Sequence, residues 1–209
     1  ARVLGADMIA DEPGTPLAAS RFGDIKALTT RKRTFYAEEG SLTAGAVRAR
    51  IGNAQGVLCI CNTVDRAQQL YQALCHELGG SVECRLLHSR FYQEDRRAIE
   101  SFVLERLKEQ SARQVILVAT QVVEVGLDIT SEVLLTECAP AASLIQRAGR
   151  CARRAGETGR VYVFQPYDDE GQVNYAPYLE NGQETICHKT WNSLCSDEFN
   201  GKVMGFPQE

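Results

Sequence analysis

Apolar residues in this chain fall into short unbroken runs that alternate with stretches where they recur every three or four positions. Val57–Cys61, Val82–Leu87, Val115–Ala119, Val133–Thr136 and Val161–Phe164 are runs of strand length, rich in β-branched residues. Between them, Val64–Leu78 has helical spacing and is closed by Gly79-Gly80. Glu94–Glu109 is amphipathic, with Ile99, Phe102, Val103 and Leu107 on one side. Ala142–Arg154 reads as a third helix. Strands alternating with helices predict an α/β fold, a parallel sheet with helices on both faces. Right-handed crossovers then collect the strand carboxyl ends on one edge, where Asn62, His88, Thr120 and Glu137 fall.

The pattern predicts three regions. Residues 1–55 form an irregular lead-in, 56–166 the α/β lobe, and 167–209 a loop and weak helix leading onward. In the lead-in, Arg31-Lys32-Arg33 reads as a solvated loop and Thr43–Ile51 as a short helix. The chain opens at Ala1 without an initiator Met, which suits a piece of a longer polypeptide or a processed one.

Composition narrows the function without naming it. The 209 residues are enough for a proper core. A net charge of -4 supplies no global field for nucleic acid, so any such contact must be local. No apolar run reaches the roughly 18 residues of a membrane span, and no signal peptide is visible. Several of the eight cysteines (Cys59, Cys61 and Cys84 among them) sit inside apolar runs, as free thiols in a reducing cytoplasm do. Cys187, His188 and Cys195 match no standard zinc spacing, and no metal site is expected there.

Two segments carry the chemistry. The run Val115–Ala119 breaks into Thr120, Gln121, Glu124, Gly126 and Asp128, and ligands of open parallel sheets bind beyond strand carboxyl ends. The second segment, Ser143–Arg154, holds Gln146, Arg147, Arg150, Arg153 and Arg154. On a helix, Arg147, Arg150 and Arg154 would share a face. Guanidinium groups present a rigid fork of donors suited to phosphate.

Asn62-Thr63 after a strand, Leu87–Phe91 with Asp95-Arg96, Ala119–Ile129 and Gln146–Arg150 together resemble the ordered motifs of the second RecA-like lobe of superfamily-2 helicases. The His-Ser-Arg-Phe, Thr-Gln-Val-Val-Glu-Val-Gly-Leu-Asp and Ser-Leu-Ile-Gln-Arg-Ala-Gly-Arg segments look most like the CRISPR-associated helicase–nuclease of type I systems. The resemblance covers about residues 56–166. Ala152 departs from it, since that family often has Asn there.

The resemblance implies a lobe of an ATP-dependent single-stranded-DNA translocase acting in CRISPR interference. Gln146 would lie near the terminal phosphate, with Arg150 and Arg153 as arginine fingers and Arg147 in support. Gly126 and Asp128 match nucleotide-side positions. Thr120, His88, Ser89, Arg90 and Asn62 match positions near the bound strand. ATP and Mg2+ are the implied cofactors. The implied partners are single-stranded DNA, an N-terminal RecA-like lobe, an HD nuclease domain and the Cascade surveillance complex. Other readings stay open: another superfamily-2 DNA or RNA helicase, or a nucleic-acid-binding module without ATPase coupling. Asp128 also fits a turn cap, His88 a satisfied strand-end histidine, and Thr63 and Asp65 plain helix caps.

No Gly-x-x-x-x-Gly-Lys-Ser/Thr phosphate loop occurs in the chain. Asp11-Glu12 resembles a magnesium-holding carboxylate pair, but no phosphate loop precedes it, so that role is rejected. The three histidines (76, 88 and 188) form no His-Asp pair for a nuclease. The lobe alone is therefore expected to be inactive, with the phosphate loop and metal carboxylates on a partner lobe.

Overall fold

The computed structural model describes residues 31–108, 113–124 and 128–205. Asp11-Glu12 and Gly126 lie outside them. In chain order the elements are β1 (Lys32–Glu38), α1 (Ala44–Ile51), β2 (Gly56–Ile60), α2 (Val64–Leu78), β3 (Glu83–Leu87), α3 (Gln93–Lys108) and β4 (Val115–Ala119). Then come β5 (Val133–Glu137), α4 (Ala141–Ala148), β6 (Thr158–Phe164), α5 (Gln183–Leu194) and β7 (Val203–Gly205).

The strands form one seven-stranded sheet in the order β3-β4-β2-β5-β6-β1-β7. Every pairing is parallel except that of β1 with β7. The fold is the expected α/β RecA-like arrangement. Alternate residues of each strand feed two cores. On one face Leu58, Leu117, Leu134 and Val161 pack with Val103 of α3, Leu144 of α4 and Cys187 of α5. On the other, Val57, Ile116, Val133 and Tyr162 pack with Val47 of α1 and Leu70 and Leu74 of α2. Apolar runs buried on both faces are what a parallel sheet between two helical layers requires.

Local signals set the helix ends. Thr43 Oγ1 accepts from Ala46 N, and Thr63 Oγ1 from Arg66 N. These are N-caps, the role expected of Thr63. Gly79, at φ 55, closes α2 in a region that side chains avoid.

Two expectations change. Lys32 and Arg33 open β1 instead of lying in a solvated loop, and β1 pairs with β6 from Lys32↔Thr158 to Glu38↔Phe164. The sheet thus extends past residues 56 and 166, taking one strand from the lead-in and another, β7, from the far end. Arg33 is 0% exposed, its Nε donating to Cys151 O at 2.5 Å. A buried arginine satisfied by backbone carbonyls defeats any reading of that cluster by polarity alone. The arginine helix is also shorter than expected. It stops at Ala148, and Cys151 forms a bridge with Ser131. Arg150, Arg153 and Arg154 therefore follow the helix and do not share its face with Arg147. Ala152 sits at φ 45, a left-handed conformation in which Asn is enriched.

Candidate functional site

Parallel strands make each crossover return to the opposite edge before the next strand begins. That rule divides the expected residues into two groups. Asn62, His88 and Thr120 follow β2, β3 and β4 at the carboxyl edge. Asp128, expected on the same edge, lies at the other one instead. It shares a recess of about 670 Å³ with Gln55, Gly56 and Thr158, at the starts of β2 and β6. Asp128 is followed by β5, which begins at Val133 on that edge. Helix α4 makes the same return journey, so the residues after it arrive beside Asp128.

There the structure brings three expected residues together. Gln146, Arg150 and Arg153 line an open recess of about 360 Å³ with Arg31, Glu124 and Gly149. Arg153 Nε is 3.3 Å from Asp128 Oδ1, an exposed pair. Arg150 Nη2 donates to Glu124 O at 2.7 Å. Three arginines thus line one concavity, and guanidinium forks suit the oxygens of an anion. Arg31 was not among the expected site residues. Its placement depends on β1, and the sequence signal for β1 was hidden by its own charges.

Arg147 does not join the recess. Its guanidinium is 0% exposed and points into the lobe. Nε donates to Glu124 Oε1 at 2.9 Å, and Nη1 lies within 3.0 Å of Asn62 Oδ1, Thr136 Oγ1 and Glu137 O. Nη2 reaches the Tyr178 hydroxyl at 3.1 Å. The resemblance implied a supporting role beside a nucleotide, and the structure shows the guanidinium engaged inside the lobe. Arg147 is an internal tie, because each of its three guanidinium nitrogens has a protein acceptor. Gln121 extends the network, donating to Asn62 O at 2.7 Å. Glu137 accepts from Asn62 N at 2.6 Å and from Arg66 Nη1 at 3.3 Å. Burial still outweighs those partners and raises the Glu137 carboxyl above its ordinary range.

The carboxyl edge is mixed. Asn62, His88 and Thr120 are buried, whereas Ser89 and Arg90 are exposed. His88 closes a tight turn: Nδ1 accepts from Arg90 N at 3.2 Å, O accepts from Phe91 N at 3.3 Å, and its ring lies 4.4 Å from that of Phe91. Burial first, and the nearby Arg90 charge second, hold its pKa below the ordinary value. Asn62 spends its side chain on Cys138 O and Arg147, so the side chain holds the lobe together. Elsewhere, Cys187 is buried, Cys195 is exposed, and the His188 ring stands edge-on to Tyr175 at 4.8 Å. Among the described residues no group of three or more His, Cys, Asp or Glu is placed to hold a metal ion. No helix among them is long and apolar enough to cross a membrane.

A doubly covered parallel sheet with arginines returning to its amino edge defines a RecA-like helicase lobe of the C-terminal kind. Residues 53–156 match the family described as Cas3-like, the C-terminal part of the CRISPR-associated nuclease/helicase Cas3. The chain belongs to that family, as its C-terminal helicase lobe. It is 44% identical over 164 residues to the CRISPR-associated endonuclease/helicase Cas3 of Escherichia coli K12, covering 74% of this chain and 18% of that protein. The crystal structure of T. fusca Cas3 with AMPPNP superposes with a TM-score of 0.70 at 22% identity, over 84% of this chain and 22% of that one. A chain from a CRISPR RNA-guided surveillance complex in a pre-nicking state matches with a TM-score of 0.64 at 25% identity, covering 86% of this chain and 24% of that one. The chain thus spans about a fifth of the length of the relatives it matches.

Proposed function

We propose that this chain is the arginine-donating lobe of an ATP-driven motor that moves along single-stranded DNA in CRISPR interference. The observation that carries the proposal is the recess where Gln146, Arg150 and Arg153 converge with Arg31. Its donors suit the oxygens of a triphosphate held by a second lobe. Arginine charge brought against a departing phosphoryl group stabilises the charge that develops there. In this reading Arg153 exchanges its pairing with the exposed Asp128 carboxylate for a phosphate oxygen when nucleotide arrives. Gly126 keeps its proposed place on the nucleotide side.

The carboxyl edge is the proposed DNA path. Exposed Ser89 and Arg90 supply side-chain contacts, and Asn62, His88 and Thr120 form the floor of the path beneath them. Phosphate contacts of this kind bind without sequence preference and weaken with salt. Magnesium, the phosphate loop and the HD nuclease belong in this reading to other parts of the protein. A Cascade-type surveillance complex in the cytoplasm is the proposed partner, which the likeness to a chain of such a complex supports.

The test is Arg150→Ala in a protein carrying both lobes. Losing a finger lowers ATP turnover by about 10³-fold or more. Binding of ATP and of single-stranded DNA is retained. Unchanged turnover removes the finger role.

A further inference from the structure

Tyr92 is the most exposed large apolar residue on the described surface, at 82%. At that exposure its ring is not packed into either core. It stands on the carboxyl edge, directly after the His88–Phe91 turn and before α3. From these observations we infer that Tyr92 is a stacking platform for a base of single-stranded DNA, which deepens the reading of this edge as the DNA path.

Three features carry the inference. The first is exposure: a tyrosine ring in water forgoes the burial its area would gain, and a flat π-face at a ligand edge is the usual place to recover it. The second is rigidity. The His88–Phe91 ring contact at 4.4 Å and two hydrogen bonds to His88, from Arg90 N and Phe91 N, lock the turn that carries Tyr92. Arg96 N donates to Tyr92 O at 3.0 Å, tying the residue to the first turn of α3. The ring therefore stands on a fixed base, and stacking costs little ordering of backbone.

The third feature is alignment. The sheet order β3-β4-β2 puts the turn after β3 beside Thr120 after β4 and Asn62 after β2. Neighbouring strands lie about 4.8 Å apart, so these ends form one row roughly 10 Å long. Thr120 N donates to Leu87 O at 3.2 Å, and Arg96 Nη2 to Val122 O at 3.3 Å, so the row is held as one unit. Arg90 stands two residues before Tyr92 in a loose, exposed pair with Asp65, 3.7 Å apart. A strand laid along the row offers its phosphates to the exposed Arg90 and Ser89 side chains, and presents a base to Tyr92.

The experiment compares three chains (unchanged, Tyr92→Ala and Tyr92→Trp) by fluorescence anisotropy at low salt. Two labelled probes are used: a thymidine oligonucleotide, and one of equal length with abasic sites, which keeps every phosphate. Tyr92→Ala is expected to weaken thymidine binding by about tenfold, within the range for losing one stacked base, and Tyr92→Trp to stay within about twofold. On the abasic probe the three chains bind alike. Equal loss on both probes, or no loss on either, overturns the platform while leaving the edge as a DNA path. If the unchanged chain shows no salt-sensitive binding to either probe, the DNA path itself fails. Circular dichroism of each variant confirms that the fold is kept.

Discussion

Arg147 Nε lies 2.9 Å from Glu124 Oε1, and this contact joins the two halves of the site. The same guanidinium holds Asn62 near the proposed DNA path, and the Glu124 backbone oxygen accepts from Arg150 in the recess lined by arginines. Removing it leaves buried acceptors on Asn62 and Thr136 without their donor. Arg147→Ala is expected to cost about 3–5 kcal/mol, the scale for breaking a buried ionic network. For a chain of this size each kcal/mol lowers Tm by about 2–4 °C, so calorimetry reads a fall of roughly 10 °C. Arg147→Lys recovers only part of it, since an ammonium cannot span the same acceptors. A melting point unmoved by Arg147→Ala defeats the account.

The Arg153–Asp128 pair behaves oppositely. Both side chains are solvent-exposed, and such pairs contribute under about 1 kcal/mol. Asp128→Ala is expected to leave the melting point within about 2 °C, yet to lower ATP turnover of the two-lobe protein at least about tenfold. A large thermal loss with normal turnover would reverse the assignment.

Gly159 is a packing requirement. A Cβ there would lie 2.5 Å from Cys151 Sγ and 3.0 Å from Ala152 Cβ. Gly159→Ala is expected to destabilise by about 1–3 kcal/mol, measured by urea unfolding. Adding Cys151→Ala removes the nearer clash and restores part of that loss. Additive losses in the double variant would refute the clash.

His88 gives a pH dependence with a definite sign. Burial and the Arg90 charge depress its folded pKa below the ordinary 6.5. Below that value the unfolded chain binds more protons than the folded one, so stability is full above 6.5 and falls as pH drops through the folded pKa. His88→Gln is expected to flatten that part of a stability-against-pH curve. A curve of unchanged slope in the variant assigns the dependence to other groups.

Thiol chemistry reads the core directly. Cys75 and Cys195 are exposed, and the other six cysteines are buried. Burial pushes the Cys84, Cys138 and Cys151 thiols up to about 12 and Cys187 to about 11. Reaction with a disulfide reagent at neutral pH is expected to modify two thiols quickly in the native chain and all eight after denaturation. More than two fast thiols would mean the core opens readily.

The central lobe was legible because its strands are buried on both faces. Val115–Ala119 was read to the residue, as was α2 between the Thr63 cap and Gly79. The arginine segment misled because helical spacing of Arg147, Arg150 and Arg154 is also met when a helix stops early. Local propensity does not show that Cys151 will pair with Ser131. β1 was missed because Lys32 and Arg33 open it, and Arg33 is satisfied by carbonyls more than a hundred residues away. Gln146, Arg150 and Arg153, singled out in the sequence, line one recess in the structure. That Arg147 turns inward follows only from acceptors on four separate stretches of chain. The edge occupied by Asp128 follows from chain direction, which no motif spells out.

The pairing of β1 with β6 and β7 also has a kinetic side. Lys32 waits for Thr158, and the β7 strand that covers the far edge of β1 is made later still. At ordinary elongation rates the ribosome needs roughly ten seconds to make the intervening chain. Throughout that interval the nascent strand offers an open ladder of hydrogen-bonding groups to any neighbour. The interval in which this edge is open to misassembly is therefore set by chain order and not by the stability of the finished sheet.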